Sequence, residues 1–262
     1  MNRHKIKRVL ISGLLSALLF SQGAWAGGHD SRHDLADWTV RLGAVGMVKP
    51  AYEGSSDYEF QVFPMIDAAW KNVFFNARRG LGAYVWDRDG LKIGLSLGWI
   101  FGRDEGDSPD LTGLGDLDGG LSALASAKWR LGDLSLGLRY ESQATGESAG
   151  FQIHADAGYA IQIGRKILLR PSAKAAFSSD GYMEKHFGVS ASQSDRSGLA
   201  AYDARAGLKS AGLGIMALYR IDRRWGIQTM ASLERLMGDA ADSPVTREEN
   251  TYFLSLGFSY MF

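Results

Sequence analysis

Residues 251–262 read TYFLSLGFSYMF. Taken in steps of two, Tyr252, Leu254, Leu256, Phe258, Tyr260 and Phe262 make one apolar, largely aromatic face. Thr251, Ser255, Gly257 and Ser259 lie between them, with Phe253 and Met261. A period of two marks a β-strand whose faces meet different surroundings. An aromatic strand left at a sheet edge in water invites aggregation. A barrel closed within a membrane removes the edge, turning the aromatic face to lipid and the small face to the lumen. The competing reading is an inner strand of a soluble sandwich.

The pattern recurs upstream. Trp38, Val40, Leu42, Ala44 and Val48 alternate with Thr39, Arg41, Gly43 and Lys49; Leu91, Ile93, Leu95, Leu97, Trp99 and Phe101 with Lys92, Gly94, Ser96 and Gly98. The stretches 134–141, 151–163 and 225–234 repeat it. Each run is about 10–14 residues, long for soluble strands and right for tilted membrane strands. The second face carries both signs of charge: Arg41, Lys49, Arg139, Asp156, Arg170, Lys174, Arg220 and Glu234. A sandwich core cannot hold these, whereas a barrel interior is polar. The expected fold is all-β, a transmembrane antiparallel up-and-down barrel of about 12–14 strands.

The opening of the sequence agrees. MNRHKIKR (1–8) is a basic stretch, residues 9–20 form an apolar run, and Ala24 and Ala26 give an A-x-A pattern. This reads as a secretory signal peptide spanning 1–26, with residues 27–262 as the barrel domain. The whole sequence has 29 basic and 29 acidic residues, and the leader takes four basic residues and no acidic one. The remainder is therefore acidic, which excludes a nucleic-acid binder. There is no cysteine.

Connections fall into two sizes. Short ones are expected at 71–72, 87–90, 132–133, 164–166 and 222–224, and long ones near 51–60, 102–117, 142–150 and 236–250. Outer-membrane barrels pair short periplasmic turns with long outer loops. Strict alternation then requires two short strands within 74–86, meeting near Arg79-Gly80, and a further strand near 182–192. In this threading Trp38, Trp70, Trp86, Trp129 and Trp225 lie at periplasmic ends and Trp99 near the outer end, as interfacial belts require. The last strand closes against the first. Its terminal Phe262 resembles the signal through which barrel-assembly machinery engages such proteins.

Several segments go beyond a generic barrel: PAYEGSSDYEFQVFP (50–64), RGLGAYVW (79–86), LTGLGDLDGG (111–120), YMEKHFGVSASQSDRSGLAAYDARAGLKSAG (182–212) and LERLMGDAADSPVT (233–246). In this order, with the aromatic terminal strand, they resemble the MipA/OmpV family of MltA-interacting outer-membrane proteins of Gram-negative bacteria. The family usually shows a further aromatic where this chain has His186. The resemblance implies a non-enzymatic scaffold joining a lytic murein transglycosylase to a murein synthase, within outer-membrane lipid and lipopolysaccharide. It also leaves open a pore or transport role, or one in adhesion and stress response.

No catalytic, cofactor-binding or metal residue is assigned. His29, Asp30, His33 and Asp34 read as a solvated terminal segment. Asp104, Glu105, Asp107, Asp110, Asp116 and Asp118 read as a solvated acidic loop, with calcium as the competing reading. His154 and Asp156 share one face of one strand and could touch, and His186 lies in the 182–192 segment. Tyr52 and Tyr58 are candidates for the outer aromatic belt or, at a loop tip, for a partner anchor.

Overall fold

The structure, a computed structural model, describes residues 38–145 and 150–262. The leader and the His29–Asp34 cluster lie outside them. Four strands open the fold: β1 (Trp38–Pro50), β2 (Tyr58–Trp70), β3 (Val73–Asn76) and β4 (Gly80–Arg88). They are followed by β5 (Leu91–Ile100), β6 (Gly120–Leu131), β7 (Leu134–Gln143), β8 (Phe151–Tyr159), β9 (Ile161–Ile163) and β10 (Ile167–Ser178). The last three are β11 (Gly207–Arg220), β12 (Trp225–Leu236) and β13 (Asn250–Met261).

Each strand pairs antiparallel with its neighbours, and β13 pairs with β1 from Arg41↔Met261 to Val48↔Leu254, closing the ring. β8 and β9 run in line either side of Ala160 and both pair with β10. The wall is therefore a closed barrel of twelve staves. No helix among the described residues is long and apolar enough to cross a membrane.

Alternation sets the faces. On β13 Phe253, Ser255 and Gly257 point inward, while Tyr252, Leu254, Leu256 and Phe258 are exposed on the outer wall. An exposed apolar surface of this extent is stable only against lipid. Short turns and long loops occupy opposite rims, and Trp38 and Phe262 both lie at the short-turn rim. There Trp38 stacks on Trp70 with ring centroids 6.0 Å apart, and Trp225 stacks on Phe258 at 4.7 Å. Asp89 and Gly90 both have positive φ, +52° and +77°. That is the two-residue hairpin geometry matching the right-handed twist of paired strands.

The anticipated hairpin within 74–86 is present as β3 and β4. The strand expected near 182–192 is not: this stretch forms α1 (Asp180–Phe187) and α2 (Ala191–Ser197). Met183 and Phe187, four residues apart, share one helix face and are fully buried. Ser190 caps α2, its hydroxyl accepting from the Gln193 amide while the Gln193 side chain accepts from the Ser190 amide. Gly198, at φ +75°, ends the helix. The count is thus at the lower end of the expected range, and the long loops build a structure of their own.

Candidate functional site: lid, lumen and short-turn rim

Three loops and a short helix, α3 (Asp239–Asp242), fold over the outer mouth as a lid. One apolar cluster joins Tyr52, Leu111, Leu114, Val189 and Val245. A second joins Met183, Phe187, Ala204, Leu236 and Ala240. Tyr202 packs against both. Tyr52 is therefore neither a belt residue nor an exposed anchor. Its side chain is buried, its hydroxyl donates to the Val245 carbonyl at 3.1 Å, and burial pushes its pKa up to about 12. Tyr58 fits the belt reading: it is exposed, and its hydroxyl accepts from the Tyr252 amide at 3.0 Å.

A buried ion pair ties the lid to the wall. Lys209 Nζ lies 2.5 Å from Glu53 Oε1, and the Tyr182 hydroxyl donates to Glu53 Oε2 at 3.1 Å. Lys209 also sits 5.0 Å from the Tyr182 ring centroid. Burial and the Glu53 carboxylate raise the Tyr182 pKa well above its ordinary value, so the phenol stays a donor. His186 stacks on Tyr182 at 4.0 Å. Burial, with Arg103, Lys209 and Lys185 nearby, pushes its pKa well below the usual histidine value. This latch was not singled out from the sequence. Glu53 sits inside YEGSSDY (52–58), and only the fold brings Tyr182 and Lys209 to it.

The acidic loop spends its carboxylates on itself. Asp107 accepts from the Asp104 amide at 2.9 Å, and Asp116 from the Glu105 amide at 2.8 Å. Glu105 accepts from the Gly113 and Gly115 amides, and Asp110 pairs with Arg247 at 3.1 Å. No group of three or more metal-ligating side chains converges among the described residues.

Inside the wall, charges pair along and across strands. Lys49 meets Glu59 at 2.7 Å, Arg139 meets Glu141 at 3.2 Å, and Lys174 meets Glu234. Asp156 turns to Arg170 at 3.5 Å, and the register sets His154 opposite Arg139. The acid thus pairs with a cation, while His154 Nε2 is buried without a hydrogen-bond partner among the described residues.

The short-turn rim has another character. Lys71 lies 4.9 Å from the Trp70 ring centroid, Arg88 5.7 Å from Trp86, Lys166 6.0 Å from Tyr219 and Arg224 5.9 Å from Tyr260. Asp222 accepts from the Arg224 and Trp225 amides, which hold its carboxyl below the usual range. Cations seated on interfacial aromatics anchor this rim at the bilayer surface.

A twelve-stave barrel with a lipid-facing apolar wall, aromatic belts and a polar interior is an outer-membrane protein of the Gram-negative envelope. The family described as MltA-interacting protein MipA matches residues 42–262, and the chain belongs to that family. The MltA-interacting protein of Escherichia coli (strain K12) is 26% identical over 243 residues, covering 87% of this chain and 92% of that relative. The Shigella flexneri protein of the same name gives the same figures. Among solved structures, the COG4313 outer membrane channel from Pseudomonas putida F1 aligns with a TM-score of 0.43 at 15% identity, covering 90% of this chain and 99% of that one. The NanC porin aligns at 0.44 and 12% identity, covering 84% and 98%.

Proposed function

We propose that this protein is a non-enzymatic scaffold at the outer membrane. In this reading it brings a murein-hydrolysing transglycosylase and a murein synthase together on the periplasmic side. Membership of the MltA-interacting family over nearly the whole described chain carries the proposal. The architecture supports it by what it offers a periplasmic partner: a rim of short turns on a stiff ring, with Lys71, Arg165, Lys166, Arg223 and Arg224 at its edge. A stable contact needs about 800 Å² per partner, so several turns must be engaged together. The packed lid argues against a wide diffusion pore. The signal peptide, the barrel-assembly signal at Phe262 and contact with lipopolysaccharide belong to the same proposal.

The test places a photo-reactive residue in turn at Lys71, Asp133, Arg165 and Arg223 in native envelopes. Adducts with a transglycosylase or synthase support the scaffold. Adducts confined to lipopolysaccharide would put these turns outside the cell and remove the scaffold's contact surface.

A further inference from the structure

The barrel wall has a gap. β2 is thirteen residues long, but β3, which carries its far edge, has four. Pairing runs from Trp70↔Val73 to Asp67↔Asn76, and one more bond joins the Ala77 amide to the Ile66 carbonyl. Above that level Tyr58–Met65 pairs with β1 and, among the described residues, with no second strand. On the other side of the gap, β4 pairs with β5 only up to Leu81↔Leu97, leaving Trp99 and Ile100 beyond it. The β3–β4 hairpin therefore closes the ring at its lower half, with residues 77–79 as a sill. Over the sill the wall between β2 and β5 is interrupted.

A free strand edge within a bilayer leaves backbone groups without partners and is tolerated only where it lines a polar cavity or is covered. The flanks of this window are apolar outside, and its sill carries two arginines, while Glu59 on the inner face of β2 is paired with Lys49. Outside stand Phe60, Val62, Leu81 and Trp99, the first two 69% and 63% exposed. A groove of about 400 Å³ begins beside the sill at Leu81 and Leu97 and crosses Leu95, Ala123, Ala125 and Tyr140 on the outer wall. Inside, Arg79 lies 4.4 Å from the Phe74 ring centroid and donates to the Tyr84 hydroxyl at 3.3 Å. Arg78 lies within electrostatic range of Arg139, Glu141 and Asp156. Gln61 Oε1, Arg139 Nε and His154 Nε2 are buried without a hydrogen-bond partner among the described residues. The outer mouth above is shut by the lid, where Leu111 packs on Tyr52 and Asp110 holds Arg247.

We propose that this lateral window is a binding site for a long-chain carboxylate, a single-chain anionic amphiphile arriving from the outer leaflet. Its carboxylate passes over the sill to Arg78 and Arg79, whose forks suit a carboxylate. Its chain stays outside in the Leu81–Leu97 groove. The groove is of a size to take one acyl chain. The occupant links the polar lumen to the lipid phase along the gap that the short hairpin leaves.

The test uses the refolded full-length mature barrel in a nonionic detergent, with 9,10-dibromostearic acid as quencher of tryptophan fluorescence. Saturable quenching is expected, and Trp99→Phe should remove most of it because Trp99 is the tryptophan at the window. The methyl ester of the same acid, and the protein with Arg78→Ala and Arg79→Ala together, should bind about tenfold more weakly or worse, the loss of a charge-assisted contact. Val62→Phe, which narrows the window without touching an interior charge and adds no tryptophan, should weaken binding likewise and covers the case in which the double variant does not refold. Equal, unsaturable quenching by acid and ester would overturn the proposal. So would quenching unaffected by Trp99→Phe or by Val62→Phe in a folded barrel.

Discussion

The two rims of this barrel are stabilised by different physics. The lid has a buried apolar core, helices with capped ends and a buried ion pair, as a small soluble domain has. The short-turn rim has turns of a few residues, and cations lie over its Trp and Tyr rings where the bilayer surface falls. The lid can therefore open or loosen while the wall stays closed, because the ring of strand pairs does not run through it. The rim cannot be loosened separately from the wall, since its residues are the ends of the staves.

The sharpest way to break that comparison is to empty the lid core. Phe187 is fully buried against Met183, Ala204, Leu236 and Ala240. Phe187→Ala removes a large buried side chain at a cost of about 3–5 kcal/mol. The expected outcome is rapid trypsin cleavage after Lys185, Arg196 and Arg205, with the heat-modifiable mobility of the folded barrel retained. Loss of both together would mean that lid and wall form one cooperative unit.

The latch should come next in size. Lys209 is 1% exposed, and Glu53 is its partner. Glu53→Ala leaves that ammonium buried without its counter-charge, a cost of about 3 kcal/mol. Hydrogen exchange in α1 should rise. Replacing both residues by methionine should restore most of the protection, since a buried ion pair can be exchanged for apolar packing at little net cost. Failure of that rescue would assign the latch to geometry and not to charge balance.

Acid should loosen the lid more gently. His186 is held neutral in the folded lid because burial and neighbouring cations depress its pKa, while in an opened lid it titrates near its ordinary value. Below about pH 6.5 the opened lid binds the extra proton, so lid stability falls as pH drops, by up to about 1.4 kcal/mol per pH unit, until the depressed pKa is reached. Above that range the contribution is fully present. Hydrogen exchange of α1 at pH 7.5 and 5.5 reads the effect, and His186→Phe should flatten it. A slope unchanged by that substitution would move the acid response to another group.

The wall and the lid were also legible in the sequence to different degrees. Alternation such as Tyr252–Phe262 dictates a strand whose outer face meets lipid, and it yields staves, belts and closure from residues alone. The lid residues obey no such constraint. In YMEKHFG (182–188) the four-residue spacing of Met183 and Phe187 signals a helix, but the requirement that rims alternate asked for a strand there. The β3–β4 hairpin already meets that requirement. The Glu53–Lys209 pair, 156 residues apart in sequence, left no local mark, because only the closed ring brings β11 to the β1–β2 loop. The window has the same cause. The short hairpin was readable, but the strand edge it leaves free is a property of register.

The smallest expected effect is at the other rim, and it sharpens the contrast by its kind as much as its size. Arg224 lies over Tyr260 and donates to its hydroxyl at 2.9 Å, at the end of the last stave. Removing such an exposed cation–π contact costs about 0.5–1 kcal/mol. Arg224→Ala should therefore leave trypsin resistance and α1 exchange unchanged while shifting the urea midpoint of the whole barrel in liposomes slightly downward. Because Tyr260 pairs with both Trp225 and Leu42, the loss is felt by the strands that close the ring. If Arg224→Ala instead loosened α1 and spared the midpoint, the rims would be coupled through the lumen, and the independence drawn from the strand ring would fail.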